Sequence, residues 1–293
     1  MQSGILVVDK PSGWTSHQVV GRCRRLLGTR KVGHAGTLDP MATGVLVIGV
    51  GRGTRLLGHL ALTTKTYEAT IRLGQATNTD DADGEVTQAT GAVAVSDAAI
   101  ESALDALRGD IVQVPSTFSA IKVDGKRAYA LARAGADVEL AGRPVTVSRF
   151  EVLARRAARA EVAVTDLDVV VDCSSGTYIR ALARDLGASL GVGGHLTALR
   201  RTRVGGFDLA GALSPDELTA DPPQAPALMP LGEVARRSFA VVELTDDQAR
   251  DVGYGRPLSI TVPDDPTALL HQHDLLALYR PDGDRAVPVA VLA

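Results

Sequence analysis

The sequence predicts an α+β protein, with a mixed, largely antiparallel sheet in a large domain over residues 1–232 and a small, mostly-β module over residues 233–293. Three observations carry this prediction. Strand-like and helix-like segments do not alternate regularly, which argues against a doubly wound parallel sheet. Apolar residues make up 45% of the 293 positions and charged residues 22%, enough to bury a sizeable core. Four prolines fall within Pro222–Pro230 and strand-like runs resume beyond them, which marks a linker into a second unit near the smallest size that folds alone.

Each element follows from local pattern. GILVV (4–8) is a strand-sized apolar run. Ser16 is positioned to cap a helix in which Val19, Val20, Cys23, Leu26 and Leu27 recur at helical spacing, and Gly28 ends it. A glycine-rich loop leads to the buried strand GVLVIGV (44–50). KTYEATIRLG (65–74) alternates with the period of a strand, and AAIESALDALRG (98–109) is an amphipathic helix ending in glycine. Residues 119–144 are polar and mixed, the profile of an inserted flap. EVAVTDLDVVVDC (161–173) contains strand-like runs. TYIRALARDLGASLG (177–191) aligns Ile179, Leu182, Leu186 and Leu190 on one helical face. Ser214-Pro-Asp-Glu217 is a capping box with proline at the first helical position. Past the proline cluster, Thr245-Asp-Asp-Gln248 caps a short helix, and LLALY (275–279) and AVPVAVLA (286–293) are strands.

Composition narrows the function. Cys23 and Cys173 are the two cysteines, too few for a disulfide framework or a cysteine zinc site, and both are expected to be buried thiols. No apolar run reaches membrane-spanning length. The segment MQSGILVVDK lacks a basic leader and reads as a first strand, so a cytoplasmic location is expected. Net charge is −3, but residues 1–65 carry nine Lys/Arg against two Asp/Glu, while residues 238–293 carry four against nine. A basic N-terminal segment on an acidic chain suits a local polyanion site.

The most informative stretch is KVGHAGTLDPMATGVLVIGVGRGTRLL (31–57). Gly33, Gly36 and Gly44 surround His34 and Asp39 in a loop where backbone can approach a ligand closely. Asp39-Pro40 holds a carboxylate in a turn, although Asp before Pro also serves simply as a turn residue. Other signals fail. GVGRGT (49–54) lacks both the dinucleotide-binding glycine spacing and a phosphate-loop lysine. The acidic run Asp80, Asp81, Asp83 and Glu85 misses the ligand positions of a calcium loop and reads as a solvated turn.

GHAGTLDPMATG (33–44) resembles the signature loop of the bacterial pseudouridine synthases that modify the T-loop uridine, position 55, of tRNA. DKPSGWTSH (9–17), KTYEATIRLGQATNTDDADGE (65–85), VPSTFSAIKVDGKRAYALAR (114–133), CSSGTYIRALARDLG (173–187) and GGHLTALRRTRVGGF (193–207) resemble the family's other blocks in the same order, over about residues 4–210. The resemblance implies a pseudouridine-synthase fold, with a PUA-like RNA-binding module at 233–293. It implies isomerisation of uridine by base flipping: the N1–C1′ bond breaks, the base turns, and C5 joins C1′. That reaction needs no redox step and no outside group, so no cofactor and no metal are expected.

On the resemblance Asp39 is the catalytic aspartate, a carboxylate able to attack the ribose, attack the base or deprotonate the sugar. Tyr67 matches the tyrosine that stacks on the target base and assists proton removal from C5. Arg180, beside Tyr178, matches the arginine that pairs with the aspartate. A cation in a helix's first turn is electrostatically misplaced, which itself points to an anionic partner. Substitution of Arg180 is expected to leave the fold intact. Leu199 matches an apolar residue of the base pocket. His34 is expected at an exposed loop tip where it enters the T loop, together with the backbone of the Gly33–Gly44 loop, Thr37 included. Lys10 and the group Arg22, Arg24, Arg25, Arg30 and Lys31 are candidate phosphate contacts. The expected partner is tRNA through its T arm, with no membrane and no obligatory protein partner, and the chain is expected to act as a monomer. A tRNA-folding chaperone without catalysis is the alternative; it would keep the basic face but have no need of Asp39, Tyr67 and Arg180 together.

Overall fold

The computed structural model describes residues 2–92, 94–116, 122–123, 126–127, 140–222 and 224–292. They gather into two compact units: Met1–Pro40, Gly44–Leu62 and Arg203–Ala293 form the first, Met41–Thr43 and Thr63–Thr202 the second.

The first unit opens with β1 (Gly4–Lys10), followed by α1 (Ser16–Leu26), β2 (Val32–Ala35), β3 (Thr43–Val50), a 3₁₀ turn (Gly51–Leu56) and α2 (Leu57–Ala61). β1 lies antiparallel to β3 along its whole length, Gly4 opposite Val50 and Lys10 opposite Gly44. The α1 residues Val19, Val20, Cys23 and Leu26 pack with Leu6, Val8, Leu46 and Ile48 in one apolar cluster. The cap of α1 differs from expectation. Thr15, not Ser16, is the N-cap and forms a reciprocal capping box with Gln18, while Ser16 is the first helical residue and is buried. Gly28 ends the helix region at φ +61°, as expected. The loop expected before residue 44 contains β2, which pairs antiparallel with β3 so that His34 faces Ile48 in register. VGHA has little intrinsic strand preference, so its pairing with Val47–Val50 of β3 makes this strand.

The second unit contains β4 (Lys65–Leu73), β5 (Gln75–Thr77), β6 (Val86–Ala89), α3 (Asp97–Asp105), β7 (Gly109–Gln113), the short pair β8 (Lys122–Val123) and β9 (Lys126–Arg127), β10 (Arg143–Arg159), β11 (Ala163–Cys173), α4 (Ile179–Ser189) and β12 (Gly194–Val204). β4 buries alternate residues, Lys65, Tyr67, Ala69, Ile71 and Leu73, as its period predicts. It pairs antiparallel with β11, and β11 with β10, which pairs in turn with β7. β12 lies on the other side of β4. α4 buries Ile179, Leu182 and Leu186. Most of the flap expected at 119–144 falls outside the described residues, and its last two positions already belong to β10. That long strand has no clear sequence signature: of its described side chains only Val145, Val147 and Phe150 are buried, and the rest of the run is largely polar or alanine.

The chain then returns to the first unit with β13 (Phe207–Asp208), α5 (Pro215–Thr219), α6 (Leu231–Ser238), β14 (Ala240–Glu243), α7 (Asp246–Gly253), β15 (Thr267–His271), β16 (Asp274–Asp282) and β17 (Arg285–Val291). Both expected capping boxes form, Ser214 with Glu217 and Thr245 with Gln248. β14 to β17 make a four-stranded sheet in chain order, its first pair parallel and the others antiparallel. One face of this sheet, through Ala268, Leu270 and Leu278, shares a core with Ile5, Val7, Val45, Val47, Val204, Phe207, Val234 and Ala235. The other face packs Leu269, Ala277 and Tyr279 against Leu244, Val252 and Leu258. The expected division at 232/233 therefore falls inside α6, beside a continuous core. The proline cluster is tied down too: Met229 and Ile5 exchange backbone hydrogen bonds of 2.8 and 3.1 Å. Among the described residues no helix is long and apolar enough to cross a membrane.

Candidate active site

In the first unit, the register of β1 on β3 decides where Asp39 sits. Lys10 at the end of β1 is opposite Gly44 at the start of β3, so the segment after β1 must lie beside the segment before β3. The hydroxyl of Ser16 donates to the Leu38 carbonyl at 3.1 Å and accepts from the Leu38 N–H at 2.9 Å. The Pro40 carbonyl accepts from the Gly13 N–H at 2.8 Å and from the Lys10 ammonium at 3.1 Å. Both backbone neighbours of Asp39 are thus clamped by the 9–17 segment, and Asp39 itself is half-buried. Gly36 and Gly44 bracket the loop at φ +77° and +98°, conformations that a side chain would strain.

Lys10 is a correction. It was a candidate phosphate contact, yet it is fully buried and its ammonium donates to the carbonyls of Pro11, Trp14 and Pro40 at 2.9, 2.6 and 3.1 Å. An ammonium has three N–H groups, so these carbonyls engage it as a structural pin of the loop. His34 is also corrected, from an exposed loop tip to a half-buried position inside β2. Gly33 has a packing reason beside any binding role, since a Cβ there would come within 2.9 Å of Leu57 Cδ1. Thr37 is exposed.

The second unit holds Tyr67, Tyr178, Arg180 and Leu199. Tyr67 is buried on β4, opposite Val171 of β11, and Leu199 is buried on β12. Tyr178 is the N-cap of α4 without a side-chain cap. The buried Gln113 side chain takes over the backbone there: it accepts from the Tyr178 N–H at 2.8 Å and donates to the Tyr178 carbonyl at 3.1 Å. Arg180 is 4% exposed. Its Nε lies 3.5 Å from the Asp81 carboxylate and its Nη1 donates to the Thr79 carbonyl at 2.8 Å. The expected partner of this first-turn cation is Asp39; Asp81, which was not expected, is an anionic partner of it.

Asp81 overturns the solvated-turn reading of the acidic run. It is 5% exposed, and its Oδ1 accepts from Thr79 Oγ1 at 2.6 Å and from the Asp83 N–H at 3.1 Å. Asp80 is half-buried at φ +61°, with Arg184 at 3.4 Å; burial holds its carboxyl above the usual range. Only Asp83 and Glu85 are exposed as expected. Lys65, two residues before Tyr67 on the same face of β4, is buried and donates to the Thr63 carbonyl at 2.7 Å. Burial, reinforced by the nearby Arg201, brings its ammonium down to about 8. Cys23 and Cys173 are buried free thiols pushed up to about 11 by burial, and so are protonated and unreactive at neutral pH.

Sequence reasoning missed Ser16, Gln113, Asp81 and Lys65 as parts of this machinery. Ser16, Asp81 and Lys65 lie inside the blocks that carry the resemblance, which is the one signal that singles them out. Gln113 lies just before such a block and has no signal of its own.

Comparison with known proteins agrees with these blocks. A family model described as the TruB family pseudouridylate synthase N-terminal domain matches residues 24–179, and one described as the tRNA pseudouridylate synthase B C-terminal domain matches residues 180–222. A curated tRNA pseudouridine synthase B from Cutibacterium acnes is 60% identical over 286 residues, covering 97% of this chain and 95% of that protein. One from Nocardia farcinica is 58% identical over 290 residues, covering 99% and 93%. Among solved structures, a Cbf5-Nop10-Gar1 complex contains a chain that superposes with a TM-score of 0.73 at 24% identity, covering 99% of this chain and 85% of that one. An H/ACA RNP bound to a substrate RNA containing 2′-deoxyuridine gives 0.71 at 23% identity, with the same coverage. At these identities the structures show likeness of fold.

Proposed function

The chain belongs to the TruB family of pseudouridylate synthases and acts on tRNA, and from that premise we propose that its target is the T-loop uridine at position 55. On this reading the uridine is flipped out of the loop, at an unstacking cost of a few kcal/mol. Asp39 supplies the carboxylate, Tyr67 stacks on the base, Arg180 is the arginine that pairs with the carboxylate, and Leu199 and Tyr178 line the base site. His34, Gly33 and Thr37 meet the opened T loop. The residues from 233 onward add RNA contact of the PUA-like kind, and the protein works as a monomer in the cytoplasm.

The observation that supports this reading best is the double clamp on the backbone beside Asp39, Ser16 on Leu38 and Gly13 with Lys10 on Pro40. A carboxylate that must meet one atom of a flipped nucleotide needs a backbone that does not wander. The test is incubation with an unmodified tRNA transcript, followed by mapping of pseudouridine by position. Modification at position 55 by the wild type, and none by Asp39→Asn at similar tRNA affinity, is the expected outcome, because asparagine keeps the shape and removes the charge. Turnover by purified Asp39→Asn, or modification elsewhere in the tRNA, would overturn the reading.

A further inference from the structure

The basic N-terminal segment contains one feature that isomerisation of a single uridine does not use. At the C-terminal end of α1, Arg24, Arg25 and Arg30 with Gly28 and Thr29 line an open cleft of about 540 Å³. Many arginines of the chain lie against a carboxylate, as Arg72 does against Asp166 and Arg236 against Glu243, while others, Arg52 and Arg55 among them, donate to backbone carbonyls instead. Among the described residues, no carboxylate lies within ion-pairing distance of the three cleft arginines. Arg24 spends one Nη2 donor on the Val32 carbonyl at 3.0 Å, and its buried Nε has no acceptor. Arg25 and Arg30 are exposed, and among the described residues no hydrogen bond engages either side chain.

We propose that this cleft is an auxiliary phosphate-binding site that takes a backbone phosphodiester of the substrate RNA. The α1 C-terminus attracts cations through its own carbonyl dipoles, but the Cys23 and Arg24 carbonyls already accept from Leu27 and Thr29. Among the described residues the Arg25 and Arg30 guanidinium groups therefore have no acceptor, and a phosphate presents oxygens that match such forks. Every member of the cleft precedes residue 31, and none belongs to the machinery assigned to the uridine. The inference rests on tRNA being the substrate but not on which uridine is modified.

The test is equilibrium binding of the full-length protein to tRNA and to a T-arm fragment across a salt series. The variants are Arg25→Gln/Arg30→Gln and Arg25→Lys/Arg30→Lys, which leave the Arg24–Val32 bond in place. Loss of one or two phosphate contacts lowers the slope of log K against log salt by about 0.7–0.9 for each contact. The Gln pair is expected to lose one or two such increments on tRNA, and the Lys pair, which keeps the charge, to retain them. A loss seen with tRNA alone locates the phosphodiester outside the T arm, and a loss seen with both RNAs locates it within; either supports the proposal. An unchanged slope for the Gln pair overturns it. So does sensitivity of inorganic phosphate binding to the Gln pair without any change on tRNA, which would make the cleft a free-anion site. Mapping pseudouridine in the same preparations reports separately on the choice of uridine.

Discussion

At the scale of single residues, the loop that carries Asp39 is held by groups that have no chemistry of their own. Ser16 is the clearest. Its hydroxyl serves both the N–H and the carbonyl of buried Leu38, so Ser16→Ala leaves a buried donor without its partner. An orphaned buried group costs about 1–3 kcal/mol. Ser16→Ala should therefore lower the urea midpoint and slow single-turnover pseudouridine formation; a variant of unchanged stability and rate would show that this clamp positions nothing. Lys65 has a pH signature of its own. Its ammonium is held at about 8 in the folded chain, against an ordinary value of about 10.4. Between those values the unfolded chain holds a proton that the folded chain has lost, so the contribution of Lys65 to stability rises with pH across that window. Below pH 8 both states are protonated and the penalty is complete. From pH 7.5 to 9.5 the wild type should gain about 1–2 kcal/mol of unfolding free energy relative to Lys65→Met, at about 1.4 kcal/mol per pKa unit. Parallel pH curves for the two proteins would count against the buried, depressed ammonium. The loop position of Asp39 and the strand position of Tyr67 were legible because Asp-Pro marks a turn and a two-residue period marks a strand. The clamp was not, because Lys10 and Pro40 stand 30 positions apart and only the β1/β3 register brings them together.

Between elements, Arg180 fastens the start of α4 to the segment between β5 and β6. Burial of both Arg180 and Asp81 revises the expectation that Arg180 can be replaced without harm to the fold. Removing one partner of a buried ion pair costs about 3–5 kcal/mol, because the other charge stays behind uncompensated. Arg180→Met should lower the melting temperature and abolish activity. Arg180→Lys keeps the charge but lacks the fork that reaches Thr79 and Asp81 together, and should fall between. In the double variant Asp81→Asn/Arg180→Met the stability loss should be smaller than the sum of the singles; additive losses in thermal melts would mean that the pair is not coupled. Elements with one apolar face were readable in the sequence, as β4 and α4 show. β2 and β10 were not, since a strand completed by pairing with a neighbour needs little apolar signal of its own.

For the whole molecule, the shared core decides how the C-terminal module can be tested. Cutting the chain near Pro230 would strip Val234, Ala235, Ala268, Leu270 and Leu278 from Ile5, Val7, Val45 and Val47. A fully buried aliphatic side chain is worth about 1.5–3 kcal/mol, and a whole fold is stable by only about 5–15 kcal/mol. The truncated chain is therefore expected to melt far below the full-length protein or not to fold, and a cooperative melt near the wild-type temperature would contradict the shared core. RNA binding by the module is better examined in the intact chain. Residues 238–293 carry nine acidic residues against four arginines, and Arg250 and Arg256 lie 3.0 and 2.9 Å from Asp247 and Asp251. Arginines already neutralised by neighbouring carboxylates release few counterions when RNA arrives. Arg250→Gln/Arg256→Gln should thus change the salt slope of tRNA binding by less than one phosphate equivalent, about 0.7–0.9. The Arg25→Gln/Arg30→Gln pair removes the same formal charge from a cleft without carboxylates and should exceed it. If instead the C-terminal pair lowers the slope by two equivalents, RNA displaces Asp247 and Asp251 from their arginines, and the module binds phosphate despite its net charge.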